Sequence, residues 1–172
     1  MPSGKTHARL DFVVLLILLG AAFSARTTLV AYFGYKEFVA IAKVFVVSYM
    51  LGSLLLSPDM DLNASGPMKN WGVLRFLWRP YTAMFKHRGL SHVPVFGTMT
   101  RICYLFLVAF AVGEGVQAVL GRRWEFSWES IGNADRGRAI WALAGMVLPD
   151  LCHICADRAF GLIRKLPYRP KI

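Results

Sequence analysis

The stretch AIWALAGMVLPDLCHICAD, residues 139–157, carries both the fold and the chemistry of this chain in one segment. It is almost wholly apolar and close to the ~20 residues that a helix needs to cross the hydrocarbon core of a bilayer. Within it Asp150, His153 and Asp157 stand at i, i+3 and i+7, so a helix presents them as one stripe. Ionisable groups in such a span are costly to bury and mark a functional site.

Working outward, three further apolar stretches of similar length appear, at residues 10–32, 38–56 and 94–120. The whole chain of 172 residues is 56% hydrophobic and only 17% charged, far from the balance of a soluble domain. The expected fold class is therefore all-α: a single membrane-embedded domain over residues 1–172, with four transmembrane helices and a large loop at residues 57–93. Arg26, Lys43, Arg101 and Glu114 interrupt the spans. The three basic residues are expected to reach an interface, where long side chains snorkel. The first stretch reads as a span rather than a cleaved signal peptide, because Asp11 sits at its start and cleavage would discard His7.

A formal charge of +10 invites a nucleic-acid reading, but Lys and Arg must first be set against topology, since cytoplasmic loops collect them. With the N-terminus inside, the inner segments hold Lys5, Arg9, Lys69, Arg75, Arg79, Lys86, Arg88, Arg158, Arg164, Lys165, Arg169 and Lys171. The outer segments hold only Lys36, Arg122, Arg123, Arg136 and Arg138. The asymmetry predicts both termini inside, in a multi-pass protein of the cytoplasmic membrane, and no nucleic-acid partner.

Cys103, Cys152 and Cys155 all fall in apolar spans rather than in a loop framework, which leaves a secreted disulfide scaffold unsupported. Gly34, Tyr35, Lys36 and Glu37 leave little more than a turn between the first two spans, so those helices are antiparallel neighbours. The loop at residues 57–93 interleaves Trp71, Phe76, Trp78, Tyr81 and Phe85 with Arg75, Arg79 and Lys86, a composition that suits either a membrane interface or an ordinary positive-inside loop.

Each of the four histidines has an acidic residue or another histidine close by: His7 with Asp11, His87 with His92, His153 with Asp157. Imidazole with carboxylate is divalent-metal chemistry. In a helix the i,i+4 pairs His7/Asp11 and His153/Asp157 project from one face, to share a cation or to act as ligand and orienter. Asp59 and Asp61, in an extended Asp-x-Asp after the second span, would direct both carboxylates to one side. A turn at Gly89 would let His87 and His92 converge. With the topology above, all these groups fall on the same membrane face, although the charge bias used none of them.

Ser3-Gly4-Lys5-Thr6-His7, Leu56-Ser57-Pro58-Asp59-Met60-Asp61, His87-Arg88-Gly89-Leu90-Ser91-His92 and the His153/Asp157 pair resemble, in this order, the motifs of a bacterial family of metal-binding integral membrane proteins. The chain also resembles, more distantly, the LexA-regulated membrane-bound metal-dependent hydrolases of the YdjM type. That likeness implies a four-helix membrane protein of the bacterial inner membrane whose matching His and Asp residues bind metal, and it attaches a hydrolase activity.

Two readings of function follow. In the first, one or two divalent ions, zinc or manganese foremost, are held by His7, Asp11, Asp59, Asp61, His87, His92, His153 and Asp157, and activate water toward an ester or phosphoester of a membrane-associated, lipid-like substrate. Asp150 is then a proton acceptor or orienter, and Arg88 holds a phosphate or carboxylate oxygen. So many candidate ligands exceed the needs of one tetrahedral ion, which favours two metals or an outer set of orienting groups. In the second reading the metal staples the helix ends of a non-catalytic scaffold or accessory subunit of a membrane protein complex. The basic aromatic loop would then bind membrane lipid or a protein partner.

Overall fold

The computed structural model describes residues 4–62, 65–85, 93–121 and 135–163. Every regular element among them is helical: α1 (Gly4–Ser24), α2 (Arg26–Phe33), α3 (Tyr35–Leu55), a 3-10 helix (Pro58–Asp61), α4 (Gly66–Asn70), a second 3-10 helix (Gly72–Trp78), α5 (Arg79–Met84), α6 (Phe96–Leu120) and α7 (Arg136–Ile163). Four helical segments, Thr6–Ser24, Tyr35–Asp61, Phe96–Leu120 and Arg136–Ile163, are long and apolar enough to cross a membrane.

The first expected span is two helices. Ser24 Oγ donates back to the Gly20 carbonyl at 2.9 Å, a contact that bends helices, and Arg26 donates to the Phe23 carbonyl while its guanidinium lies over the Phe23 ring. The break falls between them at Ala25. A single residue, Gly34 at φ 78°, separates α2 from α3.

Parallel packing of α3 along α7 is the most extensive helix pairing among the described residues. Two glycines permit it. A Cβ on Gly145 would stand 2.7 Å from the Phe45 carbonyl oxygen, and one on Gly52 would stand 3.0 Å from the backbone of Met146. Small residues at a crossing let backbones approach closely, as in membrane bundles. At one end of this pair Arg138 makes a two-point contact with Glu37, at 3.0 and 2.6 Å. At the other end the start of α1 meets the end of α7, and the start of α6 meets it near Asp150.

That second end is closed by a folded cap rather than a loop. Leu56, Met60, Met68, Trp78 and Tyr81 form a buried cluster, with Trp71, Phe85 and Tyr104 packed against it. The Trp71 indole donates to the Leu55 carbonyl and the Asn70 amide to the Leu54 carbonyl, both at 2.9 Å, satisfying acceptors that the end of α3 leaves open. Tyr81 bonds Thr100 at 3.2 Å and Tyr104 donates to the Leu77 carbonyl, which fasten the cap to α6.

Arg101 corrects an expectation. It does not snorkel: it is fully buried and pairs with Asp150 across the α6–α7 contact. A buried arginine needs a carboxylate partner, and α7 supplies one.

Candidate metal centre

Because α1 begins at Gly4, His7 and Asp11 lie one turn apart on a single helix rather than ahead of it. On α7, His153 and Asp157 are likewise one turn apart. The antiparallel approach of α1 and α7 brings the two pairs together. His7 Nε2 lies 3.3 Å from Asp157 Oδ1, and the His7 and His153 rings stack with centroids 3.9 Å apart and planes at 25°. One ligand atom from each of His7, His153 and Asp157 can be chosen so that all three lie within 4.8 Å of one another.

Asp59 joins them from the 3-10 helix, with Oδ1 3.4 Å from His153 Nε2. Asp61 does not. The expected extended Asp-x-Asp is a 3-10 helix, and at three residues per turn positions i and i+2 point in different directions. Asp61 is buried near the Tyr81 phenol, whose pKa is pushed up chiefly by burial, with Asp61 adding to the effect.

Asp11 is 5% exposed and sits behind this group. Its Oδ2 accepts from Ser53 Oγ at 2.6 Å and its main-chain carbonyl accepts from the Tyr49 hydroxyl at 3.0 Å, which pins α1 to α3. Tyr49 and Ser53 are additions from the structure: the sequence shows only that they lie one helical turn apart, and the packing of α3 on α1 is what turns them toward Asp11. Asp150 is committed elsewhere: one carboxylate oxygen takes both Thr98 and Arg101. His87, Arg88 and His92 lie outside the described residues.

The centre forms the floor of an open cleft of about 890 Å3 between α1, the end of α3 and α4, lined by His7, Asp11, Asp59 and His153, with Lys69 on its wall. His7 Nδ1 and Asp11 Oδ1 are buried and make no hydrogen bond among the described residues. Buried polar atoms without partners are rare and call for an ion or water, and two imidazoles with two carboxylates are a donor set that divalent transition metals accept. The residues present therefore fit a metal.

The model of the family described as uncharacterized metal-binding protein, DUF2227, matches residues 2–166. The chain belongs to this family. Among the described residues, His7, His153 and Asp157 form a group that could hold a metal such as the family description names. A curated relative, an uncharacterized protein of Aquifex aeolicus (strain VF5), is 46% identical over 61 residues, covering 36% of this chain and 43% of that protein. No solved structure matches.

Proposed function

We propose that this DUF2227 protein is a multi-pass membrane protein, both termini inside, that holds a divalent ion between α1 and α7 and hydrolyses an ester or phosphoester of a membrane-associated substrate. The membrane half rests on four apolar helices whose large side chains face outward: Leu16 and Ile17 on α1, and Phe106, Leu107 and Phe110 on α6, are each about half exposed or more. An apolar exterior of that extent suits lipid and not water.

The observation that carries the reading is the convergence of His7, His153 and Asp59 on the floor of an open cleft, with Asp157 beside the two imidazoles. A purely structural metal is enclosed by its ligands, whereas a catalytic one keeps an accessible position. A divalent ion there supplies Lewis acidity and a nucleophilic water at neutral pH. The chain's own groups do the rest. Asp59 and Asp157 place carboxylate oxygens 3.4 and 3.9 Å from His153 Nε2, and Ser53 holds Asp11 behind the histidines. Lys69 places a positive charge where an anionic substrate group would enter. The YdjM-type resemblance of the motifs supports hydrolysis as the reaction class.

The test is elemental analysis of purified protein beside His153→Ala and Asp157→Asn, followed by phosphoester and acyl-ester assays on metal-loaded wild type. Both variants are expected to lose the metal and any ester cleavage together. Full metal content in both would sink the centre, and metal-loaded wild type inert toward every ester class would sink the hydrolase.

A further inference from the structure

We propose that the outer face of residues 72–84 is a docking surface for the anionic headgroups of membrane lipids, with Arg75 and Arg79 as its phosphate-binding groups. The 3-10 helix Gly72–Trp78 and α5 are two-faced. Trp78 and Tyr81 are fully buried in the cap core, while on the other side Val73 is 86%, Phe76 55% and Met84 71% exposed. Large apolar side chains at that exposure are costly in water and suit the acyl boundary of a bilayer.

Two arginines lie on the same two elements. Arg75 and Arg79 are exposed and converge with Thr82 and Met68 on a cavity of about 390 Å3. Guanidinium groups bind phosphate oxygens in pairs of parallel hydrogen bonds. Along the sequence the charge is one-signed: between Asp61 and Glu114 there is no acidic residue, whereas Lys69, Arg75, Arg79, Lys86 and Arg88 lie there beside the buried, paired Arg101. A polyanionic surface complements such a segment better than a protein partner of mixed charge, and the apolar neighbours favour a bilayer over nucleic acid.

The position is also right for a bilayer interface. The cap closes the end of the bundle where α3 terminates and α6 begins. It is also next to the metal centre: α4 contributes Met68 to the basic cavity and Lys69 and Asn70 to the metal cleft. A lipid phosphate held by Arg75 and Arg79 is thus separated from that cleft by one five-residue helix. This inference rests on the membrane reading above but not on hydrolysis.

The experiment uses the full chain in nanodiscs of mixed phosphatidylcholine and phosphatidylglycerol, reading by native mass spectrometry which lipids stay bound after release. Wild type is expected to retain phosphatidylglycerol selectively. A basic residue at an anionic surface is worth about fivefold, so Arg75→Gln with Arg79→Gln should lower the retained ratio about thirtyfold. Arg75→Lys with Arg79→Lys should keep most of it. Metal content, unchanged in all variants, shows that the fold and the metal centre are intact. Selectivity that survives the double Gln change overturns the proposal, as does selectivity abolished by millimolar inorganic phosphate, which would mark a free-anion site. Binding of an acidic soluble protein in place of lipid, or a chain that stays in the aqueous fraction without detergent, also overturns it, the latter together with the membrane reading.

Discussion

The Ser53 hydroxyl, 2.6 Å from Asp11 Oδ2, touches none of the metal-facing imidazoles, yet it fixes the carboxylate behind them. Groups of this kind orient ligands, and their loss typically costs about 10–100-fold in metal affinity. Ser53→Ala should therefore weaken metal binding within that range, read by competition against a chelating dye, while total helix content stays constant; unchanged affinity would make the contact a simple α1–α3 tie. Arg101 and Asp150 call for a different prediction. Removing one member of a buried ion pair strands the other, at about 3–5 kcal/mol. Arg101→Met should lose that much stability in denaturant titration, and the double change Arg101→Met with Asp150→Leu should recover most of it, because an apolar pair of similar volume has nothing left to desolvate. A double variant as unstable as the single one would show that Thr98 and the surrounding packing, and not the charge, set the cost.

Helices differ in how visible they are from the residues alone. The four long apolar helical stretches are legible because apolar length is a one-dimensional property, and α3, α6 and α7 begin and end within a few residues of the expected points, save that α7 runs on to Ile163. The break at Ala25 is not, since it depends on where the Ser24 and Arg26 side chains find carbonyls. The cap at residues 58–85 reads as a loop because the burial of Trp78 and Tyr81 needs partners from α3 and α6. His7 with Asp11 and His153 with Asp157 were readable from helical spacing. The partner of Arg101 was not, lying 49 residues away, and the divergence of Asp59 from Asp61 turns on a 3-10 geometry that the Pro-Asp-x-Asp letters leave open. The α3–α7 crossing gives the prediction at this scale. Gly145→Ala puts a Cβ against the Phe45 carbonyl, backbone that cannot step aside cheaply. It should cost about 1–3 kcal/mol as overpacking. Because α3 leads directly into the turn that carries Asp59, metal affinity should fall with it. A variant with full stability and full affinity would mean that the two helices slide freely on each other.

At the scale of the molecule, two sources of cohesion are separable. One is the candidate metal centre, where the start of α1 and the Asp59 turn meet the end of α7. The other is metal-independent: the close α3–α7 packing, the buried Arg101–Asp150 pair and the aromatic core of the cap share no residue with the candidate ligands. If the metal were a staple, chelation would unfold the chain, as it does small zinc domains whose ligands are their main tertiary contacts. The second source argues for the opposite outcome. Protein stripped of metal by a chelator should keep its helical circular dichroism and its near-ultraviolet tryptophan signal, while its Tm drops and returns on metal addition. The recovery should follow mass action, reaching about 2.7 kcal/mol when the metal stands a hundredfold above its Kd. Collapse of the helical signal on chelation would transfer the weight to the scaffold reading, because the ion would then be the main source of tertiary cohesion. Retention of the fold with a concentration-dependent Tm is what an exchangeable ion in an accessible cleft requires.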